Sequence, residues 1–98
     1  MAKRIEWSQK AIRALNETIF YFKNEVSISS AENFVKLIQQ RISQVEKHPT
    51  MGRKAPNRKT IRFVLVGKNY RLYYRLHGST LYITALFDTR QTPDKQPY

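Results

Sequence analysis

Arg62, Arg71 and Arg75 fall in the C-terminal half of the chain, interleaved with Tyr70, Tyr73, Tyr74 and Tyr82. Guanidinium groups pair with phosphate and aromatic faces stack on unpaired bases, so this mixture is the material of RNA contact. A tyrosine alone says less, because it also suits a half-buried strand position. Three arginines on neighbouring strands say more, since like charges repel there unless an anion sits among them. Metal and thiol chemistry find no support. The chain has no cysteine, its only histidines, His48 and His77, are far apart, and no carboxylate cluster accompanies them. There is no glycine-rich phosphate loop, and neither a metal nor a cofactor is expected. What remains is metal-free cleavage of RNA by its own 2′-hydroxyl, which needs a base, an acid and cations for the developing charge. The arginines serve the third role; Lys54, Lys59, His77 and Tyr98 are the candidates for the first two.

The composition agrees with a polyanionic target or partner. Eighteen Lys and Arg against seven Asp and Glu give a formal charge of +11 on 98 residues. Such a field attracts nucleic acid, an anionic surface or an acidic protein. The basic residues are spread along the chain, which predicts a basic face made by folding rather than a disordered arm. With 41% hydrophobic residues and only 3 Gly and 4 Pro, the length suits one domain over residues 1–98. No apolar run approaches the roughly 18 residues of a membrane span, so a soluble, cytoplasmic protein with no membrane partner is expected.

The periodicities say which elements must position these side chains. Ile5-Glu6-Trp7 reads as an edge strand. Ser8 follows as a helix N-cap, with Trp7 and Ile12 at staple positions. Ala11, Ile12, Leu15, Ile19 and Phe22 recur at three and four, an amphipathic helix over about residues 9–25. A second helix is predicted from Ser29, which with Glu32 has capping-box spacing, to His48, where Pro49 stops it. The short turn between them makes an antiparallel helical hairpin. Residues 49–60 read as a polar basic loop. Alternation then takes over in three antiparallel strands, around Ile61–Val66, Tyr70–His77 and Leu81–Phe87. The fold class is α+β, in the order β-α-α-β-β-β, with the last three strands a meander. One sheet face is expected to bury Leu72, Tyr74, Ile83 and Ala85 under the helices. The other is expected to carry Arg62, Arg71, Tyr73, Arg75 and Tyr82. Residues 88–98 read as a polar tail.

In this order several short motifs resemble the RelE/ParE toxin superfamily. They are Ile5-x-Trp7-Ser8, His48-Pro49-x-x-Gly52-Arg53, Tyr70-Arg71-Leu72-x-Tyr74 and Phe87-Asp88-x-Arg90-Gln91-x-Pro93. The resemblance covers nearly the whole chain. It implies the toxin of a type II toxin–antitoxin pair, held inactive by a cognate acidic antitoxin whose extended or helical segment wraps its helices and sheet. RelE-like members cut messenger RNA on the ribosome and ParE-like members inhibit DNA gyrase; the resemblance makes the first the expected activity, with gyrase inhibition, or a catalytically reduced nucleic-acid-binding relative, as the alternative. Carried over by position, Arg71 matches the arginine that holds the scissile phosphate, Arg90 the arginine after the last strand, and Arg62 a basic strand residue. These three, with Lys54 and Lys59, form the expected catalytic set, and Arg53, Tyr73 and Arg75 the expected substrate contacts. Val64 stands where RelE has a second strand lysine, and the C-terminal tyrosine acid has no match unless Tyr98 reaches the site.

Overall fold

The computed structural model describes residues 4–90. Tyr98, one of the acid candidates, lies outside the described residues, as do Gln91 and Pro93 of the last motif. Strand β1 (Arg4–Trp7) leads into helix α1 (Gln9–Glu25) and helix α2 (Ile28–Lys47). Strands β2 (Arg53–Ala55), β3 (Arg58–Val66), β4 (Tyr70–His77) and β5 (Thr80–Asp88) follow. All five strands form one sheet in the order β1-β5-β4-β3-β2, with β1 parallel to β5 and the other neighbours antiparallel.

Helix α1 begins as predicted. The Ser8 side chain accepts from the Ala11 N–H at 3.0 Å, satisfying one of the free donors of the first turn. The second helix begins earlier than predicted, and its cap is Ser27 rather than Ser29. The turn is so short that the Val26 and Ser27 N–H groups both donate to the Phe22 carbonyl. Ser27 is left extended, with its Oγ over the Ser30 N–H at 3.0 Å. At the far end His48 is the C-cap, just before Pro49.

Residues 49–60 are not one loop. Arg53–Ala55 pairs with β3, and Pro56-Asn57 turns the chain back, with Asn57 in the left-handed region at φ 63°. Proline presets the first turn position, and asparagine tolerates the second better than most residues. Here turn-forming residues make a hairpin out of what reads as a loop. Asp88 likewise ends β5 rather than opening a tail, and Thr89 is tied back to the Asn69 carbonyl through its N–H and hydroxyl.

Both helices lie on one sheet face. Ala11, Phe34, Ile38 and Val45 meet Val64, Val66, Leu72, Tyr74, Leu81 and Ile83 in the main core, with Leu15, Phe22 and Ile42 packed around them. Burying one such side chain is worth roughly 1.5–3 kcal/mol. The face assignment of β5 needs one correction: Ala85 lies on the opposite face and Leu86 takes the helix side. Tyr74 pairs with Ile83 but Tyr73 pairs with Ala85, so Thr84 is an extra residue in β5 and reverses the alternation beyond it. This bulge is anchored, because the Ser8 Oγ that caps α1 also donates to the Thr84 carbonyl at 3.0 Å.

Candidate functional site: a cationic cleft at the edge of the sheet

The face without helices is not simply basic. It carries a second apolar cluster of Ala55, Ile61, Phe63, Tyr73 and Ala85, with Phe87 beside it. Tyr73 is only 2% exposed, its ring 5.4 Å from that of Phe63, so it offers no free face for a base. Arg71 lies on this cluster. Its guanidinium carbon is 4.5 Å from the Phe63 ring centre, and the long Nη1 contact to Tyr73 Oη measures 3.5 Å. A cation over an aromatic ring is worth about 0.5–2 kcal/mol. Arg71 Nε is buried with no hydrogen-bond acceptor.

A cleft of about 430 Å³ opens beside Arg71, lined by Arg41, Met51, Gly52, Arg53, Phe63, Val64 and Leu65. Arg53 stands opposite Phe63 across the β2–β3 ladder and is exposed. Arg41 reaches over from α2, donating from Nε to the Leu65 carbonyl at 2.8 Å and from Nη1 to Gln44 at 2.7 Å. The ion pairs among the described residues are Arg4–Glu6 and Arg90–Asp88, so no carboxylate of those residues answers these three arginines. The sequence explains why: no Asp or Glu occurs between Glu46 and Asp88.

The loop into the cleft is held by side chains rather than by its own turns. Tyr74 Oη donates to the Pro49 carbonyl at 2.7 Å and accepts from the Gly52 N–H at 3.0 Å. A Cβ on Gly52 would stand 2.6 Å from that hydroxyl and 2.8 Å from the Phe63 carbonyl, so only glycine fits. Arg62 Nη1 donates to the Gly52 carbonyl at 2.8 Å and to that of Thr50 at 3.3 Å. Thus Tyr74, Gly52 and Pro49, each part of a short motif, act together to place Arg53.

The other expected site residues are not gathered around Arg71. Arg62 was expected on its face but pairs with Tyr74, hence points to the helix side, where Lys54, the partner of Arg62, also points. Lys59 is six residues along β3 from Leu65, the partner of Arg71, on the order of 20 Å at about 3.3 Å per residue. Arg75 stacks on Tyr82 at 4.4 Å beside a different cavity, near Trp7. Arg90 is across the sheet, on the helix side. Its Nε and Nη2 bind Asp88 at 3.0 and 2.8 Å, and its guanidinium carbon is 5.9 Å from the Tyr70 ring centre. Those hydrogen bonds hold the Asp88 carboxyl below the usual carboxylate range and push Arg90 further up. Burial raises the Tyr70 and Tyr74 hydroxyls above the ordinary tyrosine value. The sequence reading missed Arg41, which carries no signal beyond a polar position on α2, because only the docking of α2 against β3 brings it to the cleft.

No group of three or more His, Asp or Glu that could hold a metal ion occurs among the described residues, and none of their helices is long and apolar enough to cross a membrane. The model of the ParE toxin of the type II toxin–antitoxin system parDE matches residues 5–93. The chain belongs to this family. Its toxin fold, within the RelE/ParE superfamily, is shared with solved structures of low sequence identity. The chromosomal ParDE TA system from P. aeruginosa superposes with a TM-score of 0.71 at 15% identity, over 87% of this chain and 94% of that one. The YoeB/ParE toxin from Agrobacterium tumefaciens gives 0.67 at 14% identity, over 87% and 96%. The YoeB dimer from Staphylococcus aureus gives 0.65 at 16%, over 84% and 91%. Among curated proteins there is no sequence match. Membership of this family implies an antitoxin as partner.

Proposed function

We propose that this toxin arrests growth by binding its target rather than by cutting RNA, and that the target is DNA gyrase. The observation that carries this reading is the company Arg71 keeps. Around it are two further arginines and the apolar side chains of Met51, Phe63 and Leu65. Proton transfer requires a titratable group within hydrogen-bond reach of the reacting oxygen. Lys54 points to the other side of the sheet and Lys59 is a strand's length away. Val64, where a second lysine stands in RelE, is buried in the core. A clamp with neither lysine in reach binds better than it cleaves, since a positioned acid or base contributes about 10²–10⁴ in rate. Match to the ParE family model supports the same reading.

Purified toxin added to gyrase with relaxed plasmid is expected to inhibit supercoiling at micromolar concentration, and an unchanged supercoiling rate overturns the proposal. One observation favours ribosome-dependent messenger RNA cleavage as a second reading: Arg71, over the Phe63 ring, keeps a buried Nε with no acceptor, a donor suited to a phosphate oxygen. Mapping of RNA ends during pulsed expression separates the two, because cuts within translated frames that vanish in Arg71→Ala belong to the nuclease alone.

A further inference from the structure

Strand β1 is the sheet edge far from the cleft, and no strand of the described residues lies on its outer side. The Arg4 and Ser8 N–H groups donate inward, to the Ser79 and Ile83 carbonyls. Backbone groups alternate sides along a strand, so the N–H and C=O of Ile5 and Trp7 point outward. Such an edge is a template for another strand. Short, charged edges usually discourage pairing. Here, however, the charges are of opposite sign and two residues apart. Arg4 and Glu6 stand opposite Thr80 and Tyr82, on the face without helices, and their side chains meet at 2.9 Å. Ile5 lies between them, opposite core residue Leu81 and so on the helix face, and is 37% exposed.

We propose that β1 pairs antiparallel with β1 of a second copy of this chain, about a two-fold axis at Ile5. The proposal rests on neither the gyrase nor the ribosome reading. Opposed residues of an antiparallel pair either both point their backbone groups at the partner or both point them away, so the axis passes through a residue and not between two. Through Arg4 or Glu6, like charges would face each other, which is destabilising. Through Trp7, Glu6 would meet Ser8 and no ion pair forms. Through Ile5, the two copies of that residue exchange both backbone hydrogen bonds, and Arg4 of each chain stands opposite Glu6 of the other. Those flanking pairs are of the kind without hydrogen bonds, with Cα atoms about 4.5 Å apart, where side chains come closest and opposite charges attract. On the helix face the two Ile5 side chains adjoin. Helix α1, which packs on β5 at this end of the sheet, adds Ile12, 44% exposed. An interface this small makes a weak dimer, with Kd about 10–100 micromolar. One sheet then runs through both copies, with both helical hairpins on one face and both Arg71 clefts towards the other. The two β3 strands lie about seven strand spacings, or roughly 34 Å, apart. A target that meets both clefts is held with an avidity that neither has alone.

The test is sedimentation equilibrium of the full chain in about 0.3 M sodium chloride, which screens the repulsion between two chains of charge +11. A monomer–dimer equilibrium is expected. Arg4→Glu and Glu6→Arg each set like charges opposite one another, and each alone is expected to weaken the dimer at least tenfold. Both side chains are solvent-exposed, at 70% and 42%, and their one hydrogen bond is to each other, so the fold survives either change. Mixing the two single variants is expected to restore association, as a heterodimer. The double variant, Arg4→Glu with Glu6→Arg, is expected to restore the homodimer. A chain that stays monomeric throughout overturns the proposal. Single variants that dimerise like the parent place the interface elsewhere and overturn it too. So does a mixture that fails to associate, or a dimer tightened by Glu6→Gln, which would put the axis at Glu6. Supercoiling assays are scored separately, so the failure of either reading leaves the other to its own result.

Discussion

Tyr74 is the residue on which the candidate site turns, although it touches no target. Its hydroxyl is shared between Pro49 and Gly52, and the space it occupies is the space Gly52 leaves empty. Tyr74→Phe leaves a half-buried carbonyl and a buried N–H unpaired, so it is expected to cost about 1–3 kcal/mol in urea unfolding. Gly52→Ala pushes a methyl group against a backbone carbonyl and is expected to cost a similar about 1–3 kcal/mol, as overpacking does. Tyr70 and Tyr74 also set an alkaline limit. Their folded-state pKa values are raised by burial, so their neutral forms stabilise the fold below the unfolded value near 10 and that contribution is lost as pH rises through the folded values. Unfolding is therefore expected to become easier above about pH 10, and less steeply so in Tyr70→Phe. Asp88 acts with the opposite sign. Its pKa is lowered by the Arg90 hydrogen bonds, so its contribution is present above the unfolded carboxylate value and disappears as pH falls through the folded one. In acid unfolding, Asp88→Asn is expected to flatten the slope below about pH 4, and an unchanged slope contradicts the assignment.

At the scale of elements, alternation along a strand is legible in a sequence only as far as the strand stays regular. Ser8, the helix over residues 9–25, the stop at His48 and the three long strands could all be read from residue spacing. The inserted Thr84 could not, because a bulge has no residue signature here, and its one-residue shift carried Ala85 to the wrong face. β2 is only three residues long and follows a glycine, so its alternation is too brief to read. Arg62 and Arg71 look equivalent as basic strand residues, and only the cross-strand register separates them. They should therefore fail differently when replaced. Arg62→Ala, which removes two hydrogen bonds to loop carbonyls, is expected to cost stability, about 1.5–3 kcal/mol by thermal or urea unfolding. Arg71→Ala is expected to keep its stability within about 1 kcal/mol and to lose growth arrest on induction, since its guanidinium holds no backbone group. The reverse pattern would return Arg62 to the site.

At the scale of the whole molecule, the charge of +11 is a stress that the fold carries alone when its partner is absent. Self-repulsion is screened by salt, with a Debye length of about 10 Å at 0.1 M and about 3 Å at 1 M. The melting temperature of the free chain is expected to rise between about 0.05 and 0.5 M sodium chloride, and a fall would mean that attractive surface pairs dominate instead. The sheet adds a matter of timing. β1 opens the described chain, yet its partner is β5, which is made last, and the register joins Arg4–Trp7 to Thr80–Ile83. The cap of α1 is bound to the same late strand through Ser8 and Thr84. During synthesis at about 5–20 residues per second, the first strand and first helix cap must wait several seconds for their complement. A ribosome building this protein thus carries an unclosed sheet until β5 has emerged, however early the helices form.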